Sequence, residues 1–149
     1  MDSRGLFLAI TAGIVLVPAA SLSNADYREE QLPCVQMIEG WYGVDASKLD
    51  DLLHAQFIKQ GVLVSPSTGK TVTTAHDKAQ FIEVVGSDRE KRPQSEWDIS
   101  VETVDLVGDI ATVRVTSADL IDVCQLGKVD GEWKIINVIW TFRDKPENG

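Results

Sequence analysis

The chain has 149 residues, with 14 Lys and Arg against 23 Asp and Glu, a formal net charge of −9 and two cysteines. This length fits one domain, since domains cluster at about 100–150 residues. Hydrophobic residues make up 44% and charged residues 25%, a globular balance that disfavours disorder. The acidic excess disfavours binding to nucleic acid and to anionic lipid, because both partners are themselves negative.

The N-terminus has the pattern of a secretory signal peptide. A start with one basic residue precedes the apolar run 6–17, and small residues follow, as in exported precursors. We expect cleavage after Ala25, with Ala20 as the alternative, so that 1–25 is the signal peptide and 26–149 is a single exported domain, periplasmic or secreted, without a membrane anchor. The other interpretation is an uncleaved N-terminal anchor, although spanning a bilayer takes about 20 apolar residues.

Helices are predicted in the first part of the mature chain. Apolar residues at helical spacing predict a first helix over 33–43, with a proline in its first turn, and a second over 45–57 that begins at an aspartate cap. Short extended segments are expected at 60–65 and 71–73. A third helix is predicted over 74–86 and ends at a glycine.

Alternating apolar and polar residues predict strands from residue 96 onward. Turns are expected at 108–109 and 130–131, and a bulge at 117–119. The last strand, over 133–142, is apolar on both faces. Since the outer face of an antiparallel sheet normally meets water, we expect this face to meet a second copy in a homodimer. The alternative is that the pattern of one strand is too short to carry that conclusion.

Five segments resemble the nuclear transport factor 2-like superfamily. They are 39–42 (EGWY), Asp45, 53–54 (LH), Asp122 and 129–137 (VDGEWKIIN). Within the superfamily they are most similar to a branch of bacterial exported proteins named putative lumazine-binding. The resemblance covers nearly all of the mature chain.

The resemblance implies an α+β cone, in which three N-terminal helices pack on a bent antiparallel sheet and leave a pocket between the first helix and the sheet. It also implies dimers through the outer sheet face. Helices followed by a strand meander agree with an α+β order. The chain departs from the branch at Ala55, Val123 and Gln125, where proline, tyrosine and histidine are usual. The superfamily includes isomerases, dehydratases, cyclases and binding proteins, so the fold does not fix a reaction.

Asp122 is the first candidate catalytic residue. It lies in an apolar strand segment, and a carboxyl in an apolar pocket suits general acid or base chemistry. Isomerases of the resembled superfamily use a pocket carboxylate in this way. The alternative is that Asp122 faces solvent or accepts backbone N–H groups. His54, expected at the end of the second helix, is the second candidate, as a proton shuttle. The alternative is a structural role, in which His54 donates a hydrogen bond to the last helical carbonyls. His76 is expected in the exposed first turn of helix three.

The candidate pocket-lining residues are Trp41, Tyr42, Trp97, Cys124 and Trp140. Aromatic rings suit a flat ligand, and we expect a small apolar or aromatic one. The alternative, favoured for most of these rings, is a place in the hydrophobic core. Trp41 and Tyr42 have the strongest claim, because the first helix borders the pocket in the resembled fold.

The two cysteines, Cys34 and Cys124, raise the question of a disulfide, since exported proteins form them. Closing a loop of about 90 residues would stabilise the fold by about 4–5 kcal/mol. The alternative is that Cys124 is a small buried hydrophobe. Two scattered histidines and the absence of ligand-spacing motifs predict neither a metal nor a cofactor.

Three functions are compatible with the sequence. The first is an exported small-molecule-binding domain with no specific activity assignable. The second is an acid–base enzyme, such as an isomerase, dehydratase or cyclase, that uses Asp122. The third is a structural or partner-binding dimer whose own aromatic residues fill the pocket. An open cavity holding Asp122 favours the enzyme, an open cavity without a titratable group favours the binder, and a filled one favours the third.

Overall fold

The structure, a computed structural model, describes residues 26–144. The predicted signal peptide lies outside the described residues. Within 26–144, no helix combines the length and the apolar character needed to cross a bilayer. In chain order the elements are α1 (Leu32–Gly43), α2 (Leu49–Leu52), β1 (Leu53–Val64), β2 (Thr71–Asp77), α3 (Lys78–Val85), β3 (Ser100–Val107), β4 (Ile110–Thr116), β5 (Leu120–Val129) and β6 (Glu132–Phe142).

All six strands form one sheet in the order β2-β1-β6-β5-β4-β3. Four of the five strand contacts are antiparallel, as predicted. The exception is the contact between β1 and β6, the second of the five, which is parallel, with Gln60 opposite Ile139. The sheet is therefore mixed, and the first and last strands among the described residues are neighbours inside it.

Three helices are present, but the second is much shorter than predicted, and two full strands separate it from the third. The second helix is one turn, Leu49–Leu52, and the chain enters β1 at Leu53. Leu53 and Phe57 suggested a helical stripe, but both are buried on one face of β1, at 2% and 0% exposure. A spacing of four residues returns to the same face in a helix and in a strand alike.

The third helix begins at Lys78, after a strand that occupies the predicted first turn. The threonine-rich segment Thr71–Asp77 pairs with β1 instead, in keeping with the strand preference of β-branched residues. The helix cap is Asp77. Its side chain accepts from the Gln80 backbone N–H at 2.8 Å, and the Gln80 side chain accepts from the Asp77 N–H at 2.9 Å. This reciprocal capping box fixes where α3 starts.

The first helix is confirmed, and its internal glycine has a steric reason. A Cβ at Gly40 would lie 2.7 Å from the carbonyl oxygen of Asp45. The chain leaves the helix through Val44 in the left-handed region (φ 52°), and the Asp45 N–H donates to the Gly40 carbonyl at 2.9 Å. Glycine at this position lets the loop fold back onto the helix.

The predicted turns are confirmed, but the bulge lies elsewhere. Residues 117–119 connect β4 to β5, closed by a bond from the Ser117 N–H to the Leu120 carbonyl at 2.9 Å. The register shifts instead within three strand pairs, one of which is β5 with β6. As a result, Ile135 and Val138 on β6 are both fully buried although they differ in parity. This shift accounts for part of the apolar character predicted on both faces of the last strand.

The helices cover one face of the sheet, which we call the inner face. Met37 and Ile38 of α1 share a single buried cluster with Phe57, Val113 and Val138 from the sheet. The opposite, outer face carries exposed apolar residues near its middle, described below. The inner face therefore holds the core and any enclosed site.

Candidate functional site

A buried ion pair joins two strands on the inner face. The ammonium of Lys59, on β1, donates to Oδ1 of Asp122, on β5, and the two side chains are 7% and 0% exposed. Taking both charges out of water is costly unless they pair closely. Lys59 was missed from the sequence because its segment was assigned partly to a helix and partly to a short extended run. Strand alternation from Phe57 would have placed it on the buried face.

A cavity of about 50 Å³ lies between α1, α3 and the inner face of the sheet. It is lined by seven side chains from six elements: Trp41, Lys59, His76, Phe81, Val84, Leu120 and Trp140. Lys59 is the charged member of this wall, whereas its partner Asp122 is fully buried and is not part of the lining. The positive end of the ion pair therefore points toward the cavity.

Aromatic rings surround the Lys59 ammonium. Its Nζ lies 5.1 Å from the centroid of Phe81 and 5.8 Å from that of Trp140. Trp41 stacks on Phe81, with centroids 6.4 Å apart, and the Arg89 guanidinium lies 4.0 Å from the Trp41 ring. Cations at these distances are attracted to the ring faces. The rings therefore stabilise the ammonium and fix the cavity wall.

Two buried polar atoms near Lys59 have no hydrogen-bond partner among residues 26–144. They are Oδ2 of Asp122 and Oγ1 of Thr74. Thr74 lies opposite Gly61 on β1, one position along the inner face from the His76–Lys59 pair. Such atoms are rare, because leaving one unpaired costs about 1–3 kcal/mol. The region around Lys59 thus has unused hydrogen-bonding capacity.

Of the predicted pocket residues, Trp41 and Trp140 line this cavity. Tyr42 and Trp97 do not. The Tyr42 hydroxyl bonds the Ser117 hydroxyl at 3.0 Å and accepts from the Asp119 N–H at 3.1 Å. Trp97 stacks on Tyr42 at 6.4 Å. These two rings brace α1 against the β4–β5 connection.

His76, and not the predicted His54, is the histidine at the cavity. His54 is not at the end of a helix, as predicted, but near the start of β1, where its Nδ1 accepts from the Gln56 N–H at 3.1 Å, away from the cavity lining. His76 is not in a helix either. It lies on β2 directly across from Lys59 and lines the cavity. The strand assignment of Thr71–Asp77 brings it to the inner face.

The cysteines are neighbours in the core and both are free thiols, each at 0% exposure. Cys34 comes from α1 and Cys124 from β5, and the two thiols are close enough to share a hydrogen bond. Burial raises the pKa of Cys34 well above its usual value, and Cys124 and Asp122 add to the rise. Cys124 does not line the cavity.

We expect reduced, folded protein to resist alkylation at mildly alkaline pH, because burial keeps Cys34 protonated and only the thiolate reacts. Intact mass after iodoacetamide treatment should show an unmodified chain in buffer and two adducts in urea. Rapid modification of the folded protein would contradict the buried thiol pair. If neither cysteine is modified in unfolded protein that has not been reduced, the two cysteines form a disulfide.

A second, open groove of about 310 Å³ lies on the far side of α1, and its lining includes Glu39, Lys48 and Trp97. Partial burial raises the pKa of the Glu39 carboxyl, and Lys48 opposes the rise. The groove contains no buried ion pair, and among residues 26–144 no cluster of His, Cys, Asp and Glu is suited to a metal.

Glu39→Gln is expected to stabilise the protein at neutral pH. A carboxyl whose pKa is raised on folding favours the folded state only when protonated, so wild-type stability falls as pH rises through the normal range of glutamate. The melting temperature of the variant should exceed that of wild type at pH 7, and the difference should disappear at about pH 4. The exposed Glu83→Gln serves as control and should show no such difference.

A family model described as Putative lumazine-binding matches residues 33–141, more than half of the chain. Among solved structures, the chain is similar to a nuclear transport factor 2-like protein of unknown function from Shewanella baltica OS155. The two are 18% identical with a TM-score of 0.54, over 76% of this chain and 93% of that one.

Two further structures agree with this fold. A nuclear transport factor 2-like protein of unknown function from Silicibacter pomeroyi DSS-3 is 17% identical with a TM-score of 0.54, over 74% of this chain and 93% of that one. One with a cystatin-like fold from Novosphingobium aromaticivorans is 12% identical with a TM-score of 0.50, over 80% and 82%. Likeness at such identities shows the fold alone. No curated protein matches the chain.

Proposed function

Since the chain belongs to the Putative lumazine-binding family, with a nuclear transport factor 2-like fold, we propose that it is an exported domain that binds a small molecule in the cavity beside Lys59. One observation carries the proposal. A charged lysine is kept at the wall of an internal cavity, with its counterion behind it. A protein that needed only a core would gain as much from apolar residues there, since buried ion pairs rarely add net stability.

The arrangement favours binding over acid–base catalysis. Asp122 is paired with Lys59 and does not line the cavity, and His54 lies elsewhere. A general base must reach the proton that it removes, directly or through one water. The aromatic residues narrow the cavity without filling it, so the third interpretation, a self-filled pocket, is also less favoured.

Export and self-association belong to the proposal. Four apolar side chains on three adjacent strands of the outer face are 37–47% exposed: Ile58, Val62, Val123 and Ile139. Exposed apolar surface of this kind is typical of interfaces. These side chains therefore support a homodimer that forms through the outer face. Sedimentation at micromolar concentration should give a dimer, and Ile139→Lys should give a monomer.

The N-terminal residue of protein from the exported pool should be 26, or 21 for the alternative cleavage site.

The binding proposal is tested by filling the cavity. Native mass spectrometry of wild-type protein from its own exported pool should show a bound small molecule. Val84 lines the cavity, so Val84→Trp should abolish that bound mass. The matched control Glu83→Trp, at the neighbouring exposed position of α3, should retain it. An unliganded wild-type spectrum, together with no thermal shift by added ligands, would contradict the proposal.

A further inference from the structure

We propose that the cavity recognises a carboxylate head group, so that the ligand is a small carboxylic acid whose apolar tail extends along the aromatic wall. This inference rests on the proposed binding function and narrows its ligand class. It modifies the sequence-based expectation of a small apolar or aromatic ligand by adding an anionic head group.

The volume is the first argument. An apolar cavity of about 150 Å³ binds benzene, and this one offers about 50 Å³. Since one water needs about 10–15 Å³ of such volume, the space admits about three or four non-hydrogen atoms, which is the size of a carboxylate and its α-carbon. A larger ligand therefore places only its head group inside and leaves its remainder toward the mouth.

The charge at the cavity is the second argument. The whole chain carries a net charge of −9, but the cavity wall includes the Lys59 ammonium and the His76 ring. The Arg89 guanidinium lies 4.0 Å from the centroid of the Trp41 ring, which is also part of the wall. The carboxylate of Asp122 is on the far side of Lys59. A ligand anion in the cavity is thus closer to the ammonium than to Asp122, and attraction outweighs repulsion because both fall with distance.

Hydrogen bonding is the third argument. One proton of the Lys59 ammonium goes to Asp122, and its Nζ also faces the rings of Phe81 and Trp140. An ammonium has three protons to donate, so it can also serve a ligand oxygen. His76, directly across from Lys59 on β2, also lines the cavity, and a ring N–H of its imidazole can donate as well. Two carboxylate oxygens can accept from these two donors, whereas an amine would place a second cation beside the Lys59 ammonium.

The test compares three probes of nearly equal size: butyrate, butyramide and butylamine. Titration calorimetry should give butyrate at least ~10-fold tighter binding than butyramide, because charge-assisted hydrogen bonds exceed neutral ones by about a decade in affinity, and butylamine should not bind. Equal affinity for butyrate and butyramide would overturn the carboxylate class while leaving small-molecule binding intact. No heat with any probe, together with an unliganded native mass spectrum, would remove both.

Two sets of variants separate recognition from folding. His76→Gln should weaken butyrate several-fold without a change in melting temperature, and His54→Gln, its matched control, should leave the affinity unchanged. The double variant Lys59→Met/Asp122→Val removes both charges together, so it leaves no unpaired ion. It should bind butyrate no better than butyramide, and a retained preference for butyrate would overturn the assignment of Lys59.

Discussion

Lys59→Met is expected to lower the free energy of unfolding by about 3–5 kcal/mol, because it leaves the Asp122 carboxylate buried without its partner. Asp122 is 0% exposed and its second oxygen already lacks a partner among the described residues. Urea unfolding measures the change. Lys128→Met is the control, since Lys128 forms a surface pair with Glu29 at 4.0 Å, and such a pair is worth under about 1 kcal/mol.

The double variant Lys59→Met/Asp122→Val completes a thermodynamic cycle. It should recover most of the loss, because replacing a buried pair with apolar residues of similar volume is often neutral. The coupling energy between the two positions is then large and favourable. If the double variant lowers the free energy of unfolding by as much as the two single variants combined, the two side chains are not energetically coupled, and the predicted ion pair is contradicted.

Gly61→Ala is expected to cost about 1–3 kcal/mol, the usual penalty for overpacking, and to disturb the cavity. A Cβ at this position of β1 would lie 2.6 Å from Oγ1 of Thr74 and 2.9 Å from Cε2 and Cζ2 of Trp140. The indole is rigid and meets Phe142 edge-on, with centroids 5.5 Å apart. Trp140 must therefore move as a whole, and it is part of the cavity wall. Urea unfolding and butyrate titration report the two effects.

Gly127→Ala is the matched control for this strand glycine. Its Cβ would lie 2.8 Å from the terminal Cδ1 of Ile136, away from the cavity. The end of a flexible side chain can rotate aside, and the loss of chain entropy in the unfolded state offsets part of any strain. We expect a change within about 0.5 kcal/mol. An equal loss in both variants would mean that the cost belongs to the strand backbone and not to Trp140.

Local signals were enough for the parts of the fold that local forces determine. The first helix, the 130–131 turn and the alternating pattern of strand β4 were predicted because proline placement, turn residues and alternation each act over a few positions. The superfamily was identified from motifs that include 39–42 and 129–137, and the family model confirms it. These motifs shape α1 and the final hairpin, which explains why they report architecture and not ligand.

The site was harder to predict because it depends on pairings between distant segments. Asp122 was singled out, but its partner Lys59 reaches it across β6, which lies between β1 and β5. Placing β1 requires the parallel contact with β6, and no local pattern encodes that contact. The same error moved His54 toward the site and His76 away from it. Trp41 was placed correctly on α1, whose face is set by helical spacing alone.

The parallel contact between β1 and β6 also dictates an order of events during folding. The strands from β3 to β6 are joined by short hairpins, so they can assemble as soon as they are made, whereas the segment around Gln60 must wait for Ile139 near the end of the chain. Contacts between such distant segments form slowly, because a long loop must close first. Until β1 arrives, β6 is an open strand edge, which readily pairs with other chains. Strand β6 is therefore the last strand of the sheet to be synthesised. Its open edge makes the chain prone to aggregation for as long as β1 has not paired with it.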